Sequence, residues 1–170
     1  QASAKGLLEH VGGMIGGNRT PVRVGMVGVG YFGQIAHLAN YAEMEGCEVT
    51  AIAEIRPGLR DAVQAHYGIP QAFPSHRELL DNVELDAVVV VTRRQHTGPV
   101  ALDCLKAGKH LFTEKPMAAC LRQAETLDET AEIAGVKYAI GYMKRHDEGV
   151  QLAKGMIEGL VASGELGPLT

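Results

Sequence analysis

Short apolar runs rich in Val and Ile alternate with longer stretches of helical spacing from Val22 onward. This alternation is typical of a parallel sheet whose strands are joined by helices. Residues 87–91, Ala-Val-Val-Val-Val, have no polar alternation, so we expect a strand that is buried on both faces. The sequence therefore predicts an α/β fold with a doubly wound parallel sheet, with strands at residues 22–27, 49–53, 71–73, 87–91, 110–113 and 137–140.

Glycines mark the ends of several predicted helices. Gly68, Gly108, Gly135 and Gly164 each follow a helical stretch, where a left-handed residue closes the last turn. Residues 1–20 contain two glycine pairs between short apolar groups and are predicted to be a leader or linker, which leaves residues 21–170 as the domain. The predicted helices span residues 34–45, 59–67, 76–82, 99–107, 121–134 and 148–163.

Composition excludes several classes of protein. The chain has 170 residues, of which 46% are hydrophobic and 21% charged, as in a globular domain. Its formal net charge of -4 provides no positive field for nucleic acid or for an anionic membrane surface. No apolar run reaches the roughly 20 residues that a bilayer span needs, and residues 1–20 lack the features of a signal peptide. We therefore expect a cytoplasmic protein.

The three cysteines, Cys47, Cys104 and Cys120, are widely spaced and form no CxxC pair. An odd number in this arrangement argues against a disulfide framework and against a zinc site. We expect reduced thiols that are mostly buried, and no metal site.

A glycine-rich turn, Gly28-Val29-Gly30-Tyr31-Phe32-Gly33, follows the first predicted strand. In such a GxGxxG turn the first glycine permits the tight turn and the second leaves room for a pyrophosphate, while the third lets the helix pack closely on the strand. The free amides at the start of the next helix favour an anion. The turn predicts a dinucleotide site, with cofactor contacts from Gly28, Gly30, Tyr31, Phe32 and Gly33.

Glu54 follows the second predicted strand, 21 positions after Gly33, where a carboxylate that binds the adenosine ribose belongs. Its charge would repel the 2′-phosphate of NADP, which favours NAD. Arg56 leaves NADP possible, because a guanidinium two residues after the acid could pair with that phosphate. The alternatives are that Glu54 is a structural or solvated acid and that Arg56 is a solvated loop arginine before Pro57.

Further motifs lie downstream. The turn Ala107-Gly108-Lys109-His110 leads into a short strand, and the strand runs into Glu114-Lys115-Pro116. The sequence then continues through Gly141-Tyr142-Met143-Lys144-Arg145-His146-Asp147 to Ser163-Gly164-Glu165-Leu166-Gly167. With the glycine turn upstream, this order of motifs resembles the Gfo/Idh/MocA family of NAD(P)-dependent oxidoreductases over residues 22–168. The resemblance implies a dinucleotide-binding Rossmann domain.

In that family the Lys of Glu-Lys-Pro lies where the nicotinamide and the substrate meet, and the resemblance implies this catalytic role for Lys115. An ammonium there can hydrogen-bond a substrate hydroxyl and stabilise the negative charge that develops during hydride transfer. Glu114 would orient the lysine, and Pro116 fixes the backbone. Thr92, Arg93, Glu114 and Lys115 are expected cofactor contacts. The alternative is a surface lysine beside a turn proline.

The loop after the fourth predicted strand departs from the family pattern. Arg93 and Arg94 stand where members often have Pro-Asn, and Thr97 stands at the usual histidine position, with His96 one residue earlier. Two interpretations of the arginines stay open: they bind an anionic group of the substrate, or they face solvent or pair with acids. Arg94, His96 and Lys115 are the candidate substrate contacts.

Family members continue into a second α/β domain that walls the substrate site and supplies an acid/base histidine. His146 and Asp147 lie near the end of this sequence, but a solvated turn or a helix start explains them equally well. Arg145 is a candidate contact to the cofactor or to the second domain. The chain is interpreted as a fragment of a full enzyme, as a short chain paired with a separate substrate-domain subunit, or as a redox-inert scaffold or nucleotide sensor. The start at Gln1 and the abrupt end favour the first.

We therefore expect the nucleotide domain of an oxidoreductase that moves hydride between NAD, or NADP, and a hydroxyl or carbonyl carbon. The resemblance implies a sugar, cyclitol or nucleotide-sugar substrate. We expect this chain alone to bind the cofactor without catalysis, because the missing domain leaves the nicotinamide open to water. Apolar surface where that domain would dock predicts a homo-oligomer. The expected partners are a small-molecule substrate and the substrate domain, with no nucleic acid and no membrane.

Overall fold

The Val- and Ile-rich runs form parallel strands, and the predicted α/β fold class is confirmed. A computed structural model describes residues 20–167. The chain divides into two units, Gln1–Val91 and Thr92–Thr170. The leader predicted at residues 1–20 lies, except for Thr20, outside the described residues.

The first unit contains four parallel strands in the order β3-β2-β1-β4. Strand β1 is central, because Val24 pairs with Val49 on one side and with Ala87 on the other. The carboxyl ends of parallel strands share one edge of a sheet, which is where such folds bind ligands. The elements are β1 Val22–Val27, the π-helical α1 Gly33–Leu38, α2 Ala39–Glu43, β2 Cys47–Ala53, α3 Pro57–Tyr67, β3 Gln71–Phe73, α4 His76–Asn82 and β4 Ala87–Val90.

The core of the first unit lies between the sheet and its helices. Met26, Ile52, Leu79, Val88 and Val90 have no exposed surface (0% each). All three valines of β4 are buried, as expected for a central strand of a parallel sheet. The strands that carry the glycine turn and the acid after β2 therefore rest on a closed apolar layer.

The second unit contains the parallel strands β5 and β6, paired from Leu111 opposite Tyr138. Helix α5 packs against α6 and against β5. The buried side chains include Val100, Ala101, Cys104, Leu105, Leu111 and Leu127. The elements are α5 Arg94–Lys106, β5 His110–Thr113, α6 Leu121–Ala134, β6 Tyr138–Ile140, a 3-10 turn Met143–His146 and α7 Glu148–Ser163.

Helix α5 begins at Arg94, five residues before its predicted start at Pro99. The amide of Thr97 donates to the Arg93 carbonyl at 3.2 Å and closes the first turn. A proline disfavours the helical conformation in the residue before it, but that residue is Gly98, which has no Cβ to clash. The prediction of a loop over residues 92–97 is therefore wrong for residues 94–97.

Gly98 also lets α6 approach α5 closely. A Cβ on Gly98 would collide with the side-chain amide of Gln123 on α6. Oε1 of Gln123 in turn accepts a hydrogen bond from the Ala119 amide at 2.9 Å. The packing of α5 on α6 therefore also holds the segment that leads from β5 to α6.

The helix predicted at residues 34–45 is divided into α1 and α2. In α1 the Ala39 amide donates to the Gln34 carbonyl, five residues back, which is the π-helical pattern. The side chain of Gln34 donates to the Val29 carbonyl at 2.9 Å. Smaller differences are that β2 begins at residue 47, β4 ends at residue 90 and β6 begins at residue 138.

The expectation of mostly buried thiols is wrong. Cys104 is buried, Cys47 is partly exposed and Cys120 is exposed, and none of the three forms a disulfide. Cys120 is the residue before α6, where no core covers it. Burial raises the pKa of the Cys104 thiol to about 12.

Two kinds of feature are absent from residues 20–167. No helix in this part of the chain is long and apolar enough to cross a bilayer. The same residues contain no group of three or more His, Cys, Asp or Glu side chains that could hold a metal ion.

The closed core predicts a large cost for truncating a buried side chain. Leu79→Ala should lower the free energy of unfolding by about 2–5 kcal/mol, because it leaves a cavity in the first unit. The matched control is Ile55→Ala, since Ile55 is 81% exposed, and its effect should stay within about 0.5 kcal/mol. Urea unfolding followed by circular dichroism measures both. Equal effects of the two variants would contradict the described core.

Candidate functional site

The glycine turn joins β1 to α1 and brings two backbone segments into contact. Gly28 has a φ of 88°, a left-handed conformation that favours glycine. Its amide donates to the Ala53 carbonyl at 2.8 Å. A Cβ on Gly33 would collide with the carbonyl oxygen of Gly28. The turn therefore needs glycine at Gly28 for its conformation and at Gly33 for space.

Gly30, in the middle of the turn, lies beside a guanidinium. A Cβ on Gly30 would lie 3.3 Å from Nη2 of Arg56. Tyr31 and Phe32 follow with 80% and 47% of their surface exposed. The Phe32 ring meets His37 edge-on, with ring centroids 5.8 Å apart. The turn is thus flanked by two exposed aromatic rings and by the side chain of Arg56.

Glu54 comes directly after β2, and only 4% of its side chain is exposed. Its Oε1 accepts hydrogen bonds from the amide of Arg56 (3.1 Å) and from Nε of Arg56 (2.8 Å). Its Oε2 accepts from Nη2 of Arg56 (3.1 Å) and from the amide of Val29 (3.3 Å). Because Val29 belongs to the glycine turn, this last bond ties the acid to the turn.

Arg56 lies before Pro57 with 61% of its side chain exposed, as the interpretation of a solvated loop arginine expects, but its guanidinium is also paired with Glu54. Burial raises the pKa of Glu54, but the hydrogen bonds and charge of Arg56 outweigh burial, and the pKa of Glu54 is lowered. The same pairing raises the pKa of Arg56. Glu54 is therefore an ionised carboxylate at neutral pH although it is buried.

These residues fit the adenosine half of a dinucleotide. Gly30 leaves room where a side chain would face a bound pyrophosphate, Gly33 avoids a collision with the Gly28 carbonyl, and the amides of the turn favour an anion. The buried carboxylate of Glu54 is an acceptor for ribose hydroxyls. In this arrangement Gly28, Gly30 and Gly33 would hold the pyrophosphate, and Glu54 would hold the ribose.

In the second unit, Thr92 and Arg93 precede α5, and Thr97 lies in its first turn. Thr97 is buried, with 4% of its surface exposed. Its hydroxyl lies 3.1 Å from that of Thr92 and donates to the Arg93 carbonyl at 3.4 Å. The residue at the family's histidine position thus closes the start of a helix.

Arg93, Arg94 and His96 are exposed at the start of α5. The ring Nε2 of His96 lies 3.3 Å from the side-chain amide of Gln95. Neither guanidinium forms an ion pair with another residue in the described range 20–167. Within that range they face solvent, which leaves both open to a ligand.

Lys115 follows β5 and is exposed. Its amide donates to Oε2 of Glu114 at 3.2 Å, and its peptide bond to Pro116 is cis. The Lys115 ammonium makes no hydrogen bond or ion pair within residues 20–167. The contact between Glu114 and the lysine is therefore a backbone contact.

An open cleft of about 500 Å³ lies beside Lys115. Gly141 forms part of it, and a Cβ there would lie 3.1 Å from the Phe112 ring and 3.2 Å from the Glu114 carboxylate. Sequence reasoning did not predict a cleft here, although the family-like stretch 141–147 was its signal. The lining residues are Lys115, Gly141, Tyr142, Met143, Lys144, Arg145 and Val150.

Asp147 begins α7, as the helix-start interpretation predicts. Its Oδ1 accepts hydrogen bonds from the amides of Gly149 (3.1 Å) and Val150 (3.3 Å), and its Oδ2 pairs with Lys144 at 2.7 Å. The bond from Lys144 and those backbone bonds lower the pKa of Asp147. This carboxylate is occupied by capping, while His146 beside it is exposed.

The close approach at Gly33 predicts a specific defect. Gly33→Ala should disrupt the glycine turn, lowering both the melting temperature and the affinity for NAD, because its methyl group meets backbone that cannot rotate away. Gly58→Ala is the matched control, since a Cβ on Gly58 in α3 meets no atom within 4 Å. Thermal melts and calorimetric NAD titrations measure both variants. A Gly33→Ala protein that behaves like Gly58→Ala would contradict the geometry of the turn.

The lowered pKa of Glu54 predicts how stability depends on pH. The ionised form is favoured in the folded chain, so its stabilising effect is present above the unfolded pKa of about 4.3 and is lost as pH falls through the lower folded pKa. The difference in unfolding free energy between wild type and Glu54→Gln should therefore be largest above about pH 5 and shrink in acid. Denaturant unfolding at a series of pH values measures it.

The control for that series is Glu48→Gln, at an exposed position of β2. It removes the same formal charge without removing a partner of Arg56, so it controls for the change in net charge. If the difference in unfolding free energy between wild type and Glu54→Gln stays constant into acid, the ionised form of Glu54 is not stabilised by Arg56.

The site can be compared with known proteins. The model of the Gfo/Idh/MocA family, described as "Oxidoreductase family, NAD-binding Rossmann fold", matches residues 22–142. The alpha-N-acetylgalactosaminidase of Shewanella oneidensis is 32% identical over 134 residues, which cover 73% of this chain and 29% of the relative. The family-model match over residues 22–142 spans β1 to β6 and includes the glycine turn, Glu54 and Lys115.

Two solved structures are similar in fold. The scyllo-inositol dehydrogenase of Lactobacillus casei, with bound NAD(H) and scyllo-inositol, has a TM-score of 0.74 at 28% identity over 88% of this chain and 43% of its own. The WlbA dehydrogenase of Bordetella pertussis, in complex with NADH and UDP-GlcNAcA, has a TM-score of 0.75 at 26% identity over 82% and 42%. This chain thus spans less than half the length of these proteins. It belongs to the Gfo/Idh/MocA oxidoreductase family and has that family's NAD-binding Rossmann fold.

Proposed function

We propose that this chain is the cofactor-binding part of an oxidoreductase that moves hydride between NAD(P) and a hydroxyl or carbonyl carbon of a sugar, cyclitol or nucleotide sugar. The observation that carries the proposal is the buried, ionised Glu54, bonded to Val29 of the glycine turn at 3.3 Å. The two similar structures, one with scyllo-inositol and one with UDP-GlcNAcA, support the substrate class.

The cofactor contacts proposed in the first unit are those of the turn and of β2. The turn formed by Gly28, Gly30 and Gly33 binds the pyrophosphate, with Gly28 supplying the tight turn, because its own amide is used by the Ala53 carbonyl. Glu54 accepts hydrogen bonds from the adenosine ribose. Tyr31 and Phe32, exposed beside the turn, cover the bound cofactor. In the second unit Thr92, Arg93 and Glu114 are the proposed contacts.

Lys115 is the proposed catalytic residue. When bound, the nicotinamide supplies or accepts the hydride, and Lys115 acts on the oxygen of the reacting carbon. Its ammonium donates a hydrogen bond to that oxygen and stabilises the negative charge that develops on it. Two features support this role: no described residue holds the ammonium, and an open cleft lies beside it.

Proton transfer requires a further group. Asp147 is occupied by Lys144 and by the start of α7, so it is a poor candidate for an acid or base. The similar dehydrogenases are more than twice as long as the matched stretch. We therefore place the acid/base group in a second domain or a second subunit, and we expect no turnover from these 170 residues alone.

A second function, glycoside cleavage, is favoured by one observation. The relative from Shewanella oneidensis is named an alpha-N-acetylgalactosaminidase. Products distinguish the two functions, because cleavage of a glycoside releases a free sugar without net accumulation of reduced or oxidised cofactor. Net formation of NADH from a sugar or cyclitol supports the dehydrogenase.

Cofactor binding by this chain gives the first test. Wild type should bind NAD saturably, and Glu54→Ala should bind about 10- to 150-fold more weakly, because charge-assisted hydrogen bonds to the ribose are lost. Glu48→Ala, at an exposed acid of β2 outside the proposed site, is the matched control and should keep the NAD affinity within about threefold. Isothermal titration calorimetry measures all three. A folded wild-type chain that binds no NAD would overturn the proposed function.

The redox role of Lys115 needs a complete enzyme. A chimera in which this chain replaces the matched stretch of the Lactobacillus casei scyllo-inositol dehydrogenase supplies one. Lys115→Ala in an active chimera should abolish NADH formation while NAD binding is retained. Full activity of that variant would favour the alternative, a redox-inert nucleotide sensor or scaffold.

A further inference from the structure

Arg56 covers the acid that would bind the ribose. Its side chain contributes two of the four hydrogen bonds to the Glu54 carboxylate, from Nε at 2.8 Å and from Nη2 at 3.1 Å. The other two come from the backbone amides of Arg56 and Val29. A carboxylate has about four lone-pair positions, so every acceptor position of Glu54 is in use.

The two kinds of donor differ in how easily they leave. The Val29 amide is fixed in the glycine turn, and the Arg56 amide is fixed at the residue directly before α3. The Arg56 side chain is 61% exposed, whereas that of Glu54 is 4% exposed. Any ligand with two neighbouring hydroxyls can therefore bond to Glu54 only by replacing the guanidinium, and the guanidinium has open solvent into which to move.

A displaced guanidinium stays near the ribose. Arg56 is two residues from Glu54, and its Nη2 lies 3.3 Å from the position that a Cβ on Gly30 would take. The side chain thus reaches from the acid to the middle of the glycine turn. A group attached to the ribose that Glu54 holds would meet this cation.

We infer that Arg56 is a specificity-determining residue that gives the chain use of both cofactors: it yields Glu54 to the ribose hydroxyls of NAD, and it pairs with the 2′-phosphate of NADP. This inference rests on the proposed function, since it requires that Glu54 face the adenosine ribose. The glycine turn and Glu54 could bind NAD without Arg56, so the role inferred for Arg56 is an additional one.

Charge explains why Arg56 is needed for NADP. A lone buried carboxylate at Glu54 would repel a 2′-phosphate, as the acid at this position does in the NAD-selecting pattern. Arg56 compensates that charge, and a guanidinium binds phosphate oxygens through two parallel N–H bonds. Arg60 lies nearby, with Nη1 3.5 Å from the Glu54 carbonyl, but it also pairs with Asp61 at 3.4 Å. Arg56 is therefore the cation whose removal tests the inference.

The experiment is a set of calorimetric titrations of the whole chain with NAD and with NADP. Wild type should bind both cofactors, with dissociation constants within about tenfold of each other. Arg56→Ala should bind NADP at least about tenfold more weakly and NAD with equal or higher affinity, because the competitor for Glu54 is gone. Arg56→Lys keeps the charge but not the two-pronged geometry, so its NADP affinity should lie between those of wild type and Arg56→Ala.

Two controls make the outcome specific. Arg122→Ala, at an exposed arginine of α6, removes the same charge and should change neither affinity. Raising the salt concentration should weaken NADP binding more in wild type than in Arg56→Ala, because the phosphate contact is an exposed ion pair. Circular dichroism confirms that each variant is folded.

The outcomes separate the two proposals. Wild-type binding of NAD without NADP, or an Arg56→Ala variant whose two affinities change equally or not at all, overturns the role of Arg56 and leaves the proposed function intact. Binding of neither cofactor by folded wild type overturns both. A loss of NADP affinity in Arg56→Ala without a loss of NAD affinity, with Arg122→Ala unchanged, supports the inference, and a variant that loses more NAD affinity than NADP affinity overturns it.

Discussion

The bond between the Val29 amide and the Glu54 carboxylate, 3.3 Å long, links the glycine turn to the acid that follows β2. One partner belongs to the turn after β1, and the other follows β2. The turn is itself fixed by the contact of Gly33 with the Gly28 carbonyl, which excludes any Cβ. Because β1 and β2 pair directly in the sheet, the position of the turn and the position of the acid are set together.

The local patterns that dominate their surroundings were predictable from sequence. No polar residue interrupts the valines of β4, which predicts a strand buried on both faces, and all three valines are buried. Gly68 and Gly135 close α3 and α6 with φ near 65°, as expected of residues without a Cβ. The glycine turn and Glu54 follow the first two strands at the predicted places. Each of these features depends on residues that are close in sequence or on one uninterrupted apolar run.

The features that sequence did not predict depend on contacts that its patterns do not encode. Helix α5 starts before Pro99 because Gly98 removes the clash that a proline normally causes. The sequence left Arg56 as a partner of a 2′-phosphate or as a solvated arginine. In the structure its guanidinium forms an ion pair with the buried carboxylate of Glu54. Cys120 is exposed because it stands just outside α6, a position that depends on where the helix starts. For the site, residue types were predictable, and their pairing required the coordinates.

The close contact between Gly98 and Gln123 connects the packing of α5 to the segment after Lys115. Gln123 fills the space beside Gly98, and the same side-chain amide holds Ala119 in the segment after Lys115. A larger residue at position 98 would push on Gln123 first and on the Lys115 segment second. The effect of such a substitution on the Lys115 segment would come from packing and not from the lysine itself. The position of the segment after Lys115 therefore depends on the absence of a side chain at Gly98 in α5.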